Sequence, residues 1–164
     1  MPLYCLSGIF LSFKKYLLIS IFFLSFVLKG SAQHTVETDW VHTGTGSRDV
    51  SATASCVDAL GNSYITGIFK GTVDFDPSGA NLNLSAVGQR DVFVQKLDPS
   101  GNLIWTKTFG GTHIDESSAI STDANGGVYL TGYYYYTSDF DPGPDTFNMT
   151  ANAGSDAFAL KLDA

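Results

Sequence analysis

From Ser51 onward, apolar and polar positions fall into short runs of strand character separated by turn-forming clusters. Ser51–Asp58 (SATASCVD) alternates small and polar residues and stops at Ala59-Leu60-Gly61-Asn62, a turn-forming stretch. Asn62–Phe69 (NSYITGIF) is rich in β-branched and aromatic residues, as a strand requires. A connection of roughly 20 residues follows, with Asp74-Phe75-Asp76-Pro77 and an alternating Asn-Leu-Asn-Leu-Ser. Asp91–Asp98 (DVFVQKLD) reads as the next strand. In the turn Asp98-Pro99-Ser100-Gly101-Asn102, proline sets one φ angle and glycine supplies the positive one. Leu103–Gly110 (LIWTKTFG) closes a unit of four antiparallel strands in meander order. No stretch of this part shows long helical periodicity, so the expected class is all-β.

The unit recurs. Shifted by 65 residues the chain registers on itself without a gap, and about 22 of some 60 paired positions are identical. Trp40 falls on Trp105, Tyr64-Ile65-Thr66-Gly67 on Tyr129-Leu130-Thr131-Gly132, and Asp91–Asp98 on Asp156–Asp163. Asp74–Pro77 falls on Asp139–Pro142, so this string recurs because the whole unit does. Val92, Phe93 and Val94 are apolar in succession, as are Ala157–Leu160, and such strands are buried on both faces. Four-stranded sheets stacked face to face around an axis bury strands this way, which predicts β-propeller blades. The expected organisation is a fourth-strand equivalent within residues 33–50, a first blade over 51–110, and a second over 111–164 that lacks its fourth strand.

Residues 1–32 have a different character. Lys14-Lys15 precede an apolar run of about 13 residues, which suits the core of a signal peptide and is short for a membrane span. Gly30 and Ala32 are small, as signal peptidase requires, so cleavage is expected after Ala32, with no membrane span after it. That makes the protein exported, extracellular or at the cell surface. The leader takes three lysines and no acids, so the remainder is more acidic than the whole chain's net charge of −7. An acidic surface argues against nucleic acid and anionic lipid. Of the two cysteines only Cys56 lies outside the leader, which excludes a disulfide framework or a cysteine metal site.

The spacing D-x-x-G-N-x-Y-x-T-G, then DFDP, then D-x-F-V-x-K-L-D-x-x-G-N-x-x-W resembles the seven-bladed β-propeller (SBBP-type) repeat of exported bacterial proteins. It is carried by Asp58, Gly61-Asn62, Tyr64, Thr66-Gly67, Asp74–Pro77, Asp91, Phe93, Lys96–Asp98, Gly101-Asn102 and Trp105. The resemblance covers nearly everything from Trp40 to the end. It implies a secreted or surface propeller and carries no catalytic residues. A propeller typically has about 4–8 blades, so the resemblance makes this chain a fragment of a longer propeller, or a unit of which several copies build the ring.

Candidate chemistry is sparse. Asp74 and Asp76 would share one face of an extended loop, as would Asp139 and Asp141, with Asp145 close by. Paired carboxylates of this kind suit Ca²⁺. The competing structural reading has them accepting backbone N–H bonds while Phe75 and Phe140 pack beneath the blade. Tyr133, Tyr134, Tyr135 and Tyr136 have no counterpart in the first unit, where Ile68, Phe69, Lys70 and Gly71 stand. They are either a sugar-stacking cluster or packing between blades. Trp40, Trp105, Gly67, Gly132, Phe93 and Phe158 are expected as structural repeat positions. His113, Asp115 and Ser117 match no catalytic spacing, and the other copy has Arg48, Val50 and Ala52 there.

The expected function is therefore a non-enzymatic repeat module without a cofactor, structural or protein-binding, whose partners include further propeller blades. The alternative is a lectin-like module in an oligomeric ring that binds glycans through the tyrosines.

Overall fold

The computed structural model describes residues 38–46, 49–76, 78 and 80–163. The expected signal peptide and its cleavage point lie outside the described residues, as do Arg48 and Pro77. Asp39–Ala164 form one compact unit. It is all-β, and no helix occurs among the described residues.

Ten strands follow one another: β1 (Thr45–Gly46), β2 (Val50–Val57), β3 (Ser63–Phe69), β4 (Thr72–Asp74), β5 (Asn83–Ser85), β6 (Asp91–Leu97), β7 (Leu103–Gly111), β8 (Asp115–Thr122), β9 (Val128–Asp139) and β10 (Asn148–Leu162). Every ladder between them is antiparallel. β2-β3-β6-β7 form a four-stranded meander. β8-β9-β10 form a three-stranded one. They join where Gly110 and Gly111 of β7 pair with Asp139 and Ser138 of β9. These are propeller-type blades, and the 65-residue shift carries one onto the other. The long connection of the first unit contains the β4–β5 hairpin, whose counterpart in the second is the far end of the β9–β10 hairpin.

Strand alternation assigns two faces to each blade. In the first blade, Tyr64, Val92, Val94 and Phe109 share a face and pack with Val128, Leu130, Tyr134, Phe140 and Leu162 of the second. The opposite face carries Phe69 and Phe93, which are covered by Val73 of β4 and by Phe75. Val92, Phe93 and Val94 are thus buried on both sides, as their apolar succession requires. Ala157–Leu160 differ. Phe158 and Leu160 pack toward the first blade, while Ala157 and Ala159 are exposed. The reason is geometric: that face of β10 has no sheet stacked on it among the described residues.

The amino-terminal segment also differs from expectation. Asp39, Trp40 and Val41 form no strand, and the short β1 pairs with β4 instead. Trp40 lies against Gly101 in the β6–β7 turn, where a Cβ would come within 2.6 Å of the indole. Glycine leaves the tryptophan room to cover the turn, so its place is unlike that of Trp105, which meets Tyr64 edge-on at 6.2 Å.

Candidate functional site

Each blade is built on the same small set of locks. At three turns an aspartate accepts N–H groups of the backbone that follows it. Asp98 Oδ1 accepts the N–H groups of Ser100 and Asn102, both at 2.8 Å, and its Oδ2 accepts the Asn102 amide at 2.9 Å. Asp58 does the same with Leu60 and Asn62 and also accepts the Tyr64 hydroxyl at 3.2 Å. Asp123 accepts from Asn125, Gly127 and the Tyr129 hydroxyl. These donors hold all three carboxyls below their ordinary range, led by the Asn62 and Asn102 side chains at Asp58 and Asp98 and by the Gly127 N–H at Asp123. Gly61, Gly101 and Gly126 close the same turns at φ of 85°, 82° and 89°, a region favouring glycine.

Gly67 and Gly132 are the second lock. A Cβ on Gly67 would lie 2.0 Å from the Ser51 carbonyl oxygen and 2.8 Å from the Phe93 ring. On Gly132 it would lie 2.0 Å from the Glu116 oxygen and 2.7 Å from Phe158. The phenylalanine of one strand lies over the glycine of its neighbour, so the two positions are matched in both copies.

The Asp-Phe-Asp strings behave alike in both blades. Phe75 and Phe140 are buried and sit in aromatic clusters, 5.0 Å from Phe93 and 5.1 Å from Phe158. Asp74 Oδ1 accepts the N–H groups of Asp76 and Leu82, and Asp139 Oδ1 those of Asp141 and Phe147. Asp76 accepts from Ser78, and Asp141 accepts the Gly143 N–H at 2.6 Å. Asp145 is exposed. A Ca²⁺ site gathers about 6–8 oxygens. Among the described residues no group of three or more His, Cys, Asp or Glu side chains converges, and the carboxylates of these strings accept backbone N–H groups instead.

The tyrosine run is a local feature without a counterpart in the other copy. It does not act as a unit. Tyr134 is buried 5.1 Å from Phe140, filling the core place held by Phe69 in the first blade. Tyr133, Tyr135 and Tyr136 are open to solvent, and Tyr136 is 54% exposed. Tyr136 stands where the first blade has Gly71 and keeps that left-handed conformation, with φ of 58° against 67°. A tyrosine there is strained. Its ring is stacked on His113 at a centroid distance of 4.3 Å. Tyr133 donates its hydroxyl to Glu116 at 2.5 Å, which pushes the phenol up to about 12. Glu116 also pairs with Arg90 at 3.2 Å. The exposed part of the run therefore belongs to a rim of Arg90, His113, Glu116, Tyr133, Tyr135 and Tyr136. Arg90, His113 and Glu116 carry no motif of their own, so sequence reasoning had no signal for adding them.

Below the rim, Tyr129, Thr131, Tyr133, Ala157, Ala159 and Lys161 occupy the outer face of the second blade. It corresponds position for position to the face of the first blade that the second covers. Lys161 lies over Tyr129 at 5.5 Å as Lys96 lies over Tyr64 at 5.1 Å. Where the first blade opposes Ile68 to Val92, the second opposes Tyr133 to Ala157. A larger residue thus faces a smaller one in place of two aliphatic ones.

Comparison with known proteins agrees with this architecture. The chain is 29% identical over 119 residues to an uncharacterized WD repeat-containing protein of Acanthamoeba polyphaga mimivirus. The match covers 65% of this chain and 8% of that protein, so the chain spans a small part of its relative's length. No family model matches the sequence. No solved structure matches it. A four-stranded blade and a three-stranded blade related by the 65-residue repeat, the seam between them and the WD-repeat similarity together make this a β-propeller-like repeat protein.

Proposed function

We propose that this chain is a non-enzymatic, exported propeller module that works by stacking on a further blade and presenting its rim to a partner protein. One observation carries the reading. The outer face of the second blade has the residue pattern of the face that the first blade buries. Such a surface is complementary to a blade bearing glycine and phenylalanine at the places of Gly132 and Phe158. That blade belongs either to a longer chain, of which this one is a piece, or to a second copy. The leader-like residues 1–32 support export, and the DFDP-bearing repeat supports an SBBP-type bacterial surface protein.

Light scattering in line with size exclusion, on the full chain and on an Ala159→Arg variant, tests the stacking. A discrete assembly that the variant reduces to monomer is expected. A wild-type monomer with a stable, cooperative fold would refute stacking between copies.

A second reading is favoured by Tyr136. A strained, exposed aromatic stacked on an imidazole beside a carboxylate suits a sugar ring. A glycan array probed with wild type and with Tyr136→Gly separates the readings. Hits lost in the variant support a lectin-like rim, and an empty array leaves the protein-binding module.

A further inference from the structure

Two buried carboxylates meet at the seam between the blades, and neither has a cationic partner among the described residues. Asp91 opens β6 and is 2% exposed; Asp115 opens β8 and is 1% exposed. Both face Gly110, where a Cβ would lie 3.0 Å from Asp91 Oδ1 and 2.9 Å from Asp115 Oδ2. The two carboxylates are therefore no more than about 6 Å apart, near enough to repel when both are ionised. Asp91 Oδ2 accepts the Val87 N–H at 2.8 Å, and its Oδ1 has only the Gly88 N–H at 3.4 Å. Asp115 Oδ2 accepts the Gly111 N–H at 2.7 Å, and its Oδ1 accepts the Ser138 hydroxyl. All of these donors are neutral.

The charged neighbours are few. Arg90 pairs outward with Glu116 of β8. Lys70 and Asp49 lie past the end of β3, lining a surface pocket with Arg90. His113 draws Asp115 down slightly, less than burial raises it. β7 and β9 contribute Gly110, Gly111 and Ser138, with no charge. The pair is not part of the repeat. Asp156, the counterpart of Asp91, accepts the Asn152 N–H in the same way, but the counterpart of Asp115 is Val50.

We propose that Asp91 keeps its proton beside the Asp115 carboxylate at the seam, making the contact between the blades a pH-sensitive joint that is firmest in mild acid and loosens toward neutral and alkaline pH. The sign follows from proton linkage. Burial, assisted by the Asp115 charge, pushes Asp91 up to about 6 from the ordinary 3.8. A carboxyl raised in the folded state stabilises fully below its unfolded value, and that contribution is lost as pH rises through the folded value. A displacement of about two pH units corresponds to up to about a hundredfold in the folded-to-unfolded ratio. The lowered carboxyls of Asp58, Asp98 and Asp123 act in the opposite sense and only near or below about pH 4. Above about pH 5 those three are fully ionised, so the trend expected of the seam toward pH 8 is that of the Asp91–Asp115 pair.

The test is amide hydrogen exchange of β8 and β9 in the full chain at about pH 5 and about pH 8, corrected for intrinsic exchange. Wild type is expected to open at least tenfold more at the higher pH. In Asp91→Asn the amide oxygen keeps the Val87 bond and the NH₂ donates toward Asp115, so opening should become flat with pH. Asp156→Asn and His113→Gln should retain the wild-type trend. A pH trend surviving in Asp91→Asn, or vanishing in His113→Gln, would overturn the proposal. Should Asp91→Asn fail to fold, a carboxyl-carbon NMR titration of wild type decides. Asp91 titrating near 4, like an exposed carboxylate, would overturn the proposal, and titration near 6 would uphold it.

Discussion

Single residues in this molecule are constrained mainly by close approach. Gly67 and Gly132 have ordinary φ angles, so the constraint is the carbonyl and ring packed over each. Gly67→Ala or Gly132→Ala should cost about 1–3 kcal/mol, as over-packing does, measured as a lower midpoint in urea. Tyr136 presents the reverse case. Tyr136→Gly removes a left-handed non-glycine residue, worth about 1–2 kcal/mol, and gives up the contact with His113. A small net rise in Tm is expected, which would mark the tyrosine as kept for binding. An unchanged or lower Tm would show that stacking on His113 outweighs the strain. The turn aspartates titrate in the opposite direction to Asp91. Their lowered carboxyls contribute stability above the ordinary carboxylate value, lost as pH falls through the folded value. Asp98→Asn should therefore flatten the acid limb of a stability-versus-pH curve and leave the limb above about pH 5 unchanged.

Strands and hairpins are held by aromatic clusters that repeat with the blade. Phe69, Phe75 and Phe93 close one face of the first blade, with Phe69 and Phe75 edge-on at 5.4 Å. Tyr134, Phe140 and Phe158 take the same places in the second, and Phe109 adds the contact across the seam. Phe93→Ala should destabilise by about 3–5 kcal/mol, as large core truncations do. Circular dichroism melts would report it. The paired loops are fastened by backbone N–H bonds to Asp74 and Asp139, so millimolar Ca²⁺ should leave Tm unchanged. A rise of several degrees would mean that the loops rearrange to gather further oxygens.

At the scale of the whole molecule, one seam and one uncovered face govern behaviour. The seam between β3-β6 and β9 holds the larger core, and the outer face of β9-β10 repeats its chemistry without a covering sheet among the described residues. Exposed Tyr129, Tyr133, Phe147 and Met149 accompany Ala157 and Ala159 there or at its edge. Apolar patches of this kind on a soluble domain mark association surfaces. Dilute, mildly acidic solution should favour the closed seam. Rising concentration should favour association through the outer face, which Ala159→Arg separates from the seam.

The four main strands of the first blade, the turn chemistry and the duplication were legible in the sequence because they are local or periodic. Alternation marks β2, β-branched and aromatic content marks β3, apolar succession marks β6, proline and glycine mark the turn after Asp98, and a constant shift of 65 residues aligns the copies. Burial of Val92–Val94 on both faces followed from their succession alone. Other features depended on which chain segment packs on which. The same apolar succession at Ala157–Leu160 is buried on one face only, because no sheet among the described residues covers the other. Trp40 matches Trp105 in register yet rests on a turn glycine, since a matched residue takes a matched place only when its neighbours do. Four consecutive tyrosines divide into one core residue and three exposed ones, because β9 sets one face against Phe140. Asp91 and Asp115 are buried together because β8 crosses the head of β6 at the seam, a meeting that strand stacking decides and local sequence pattern does not record.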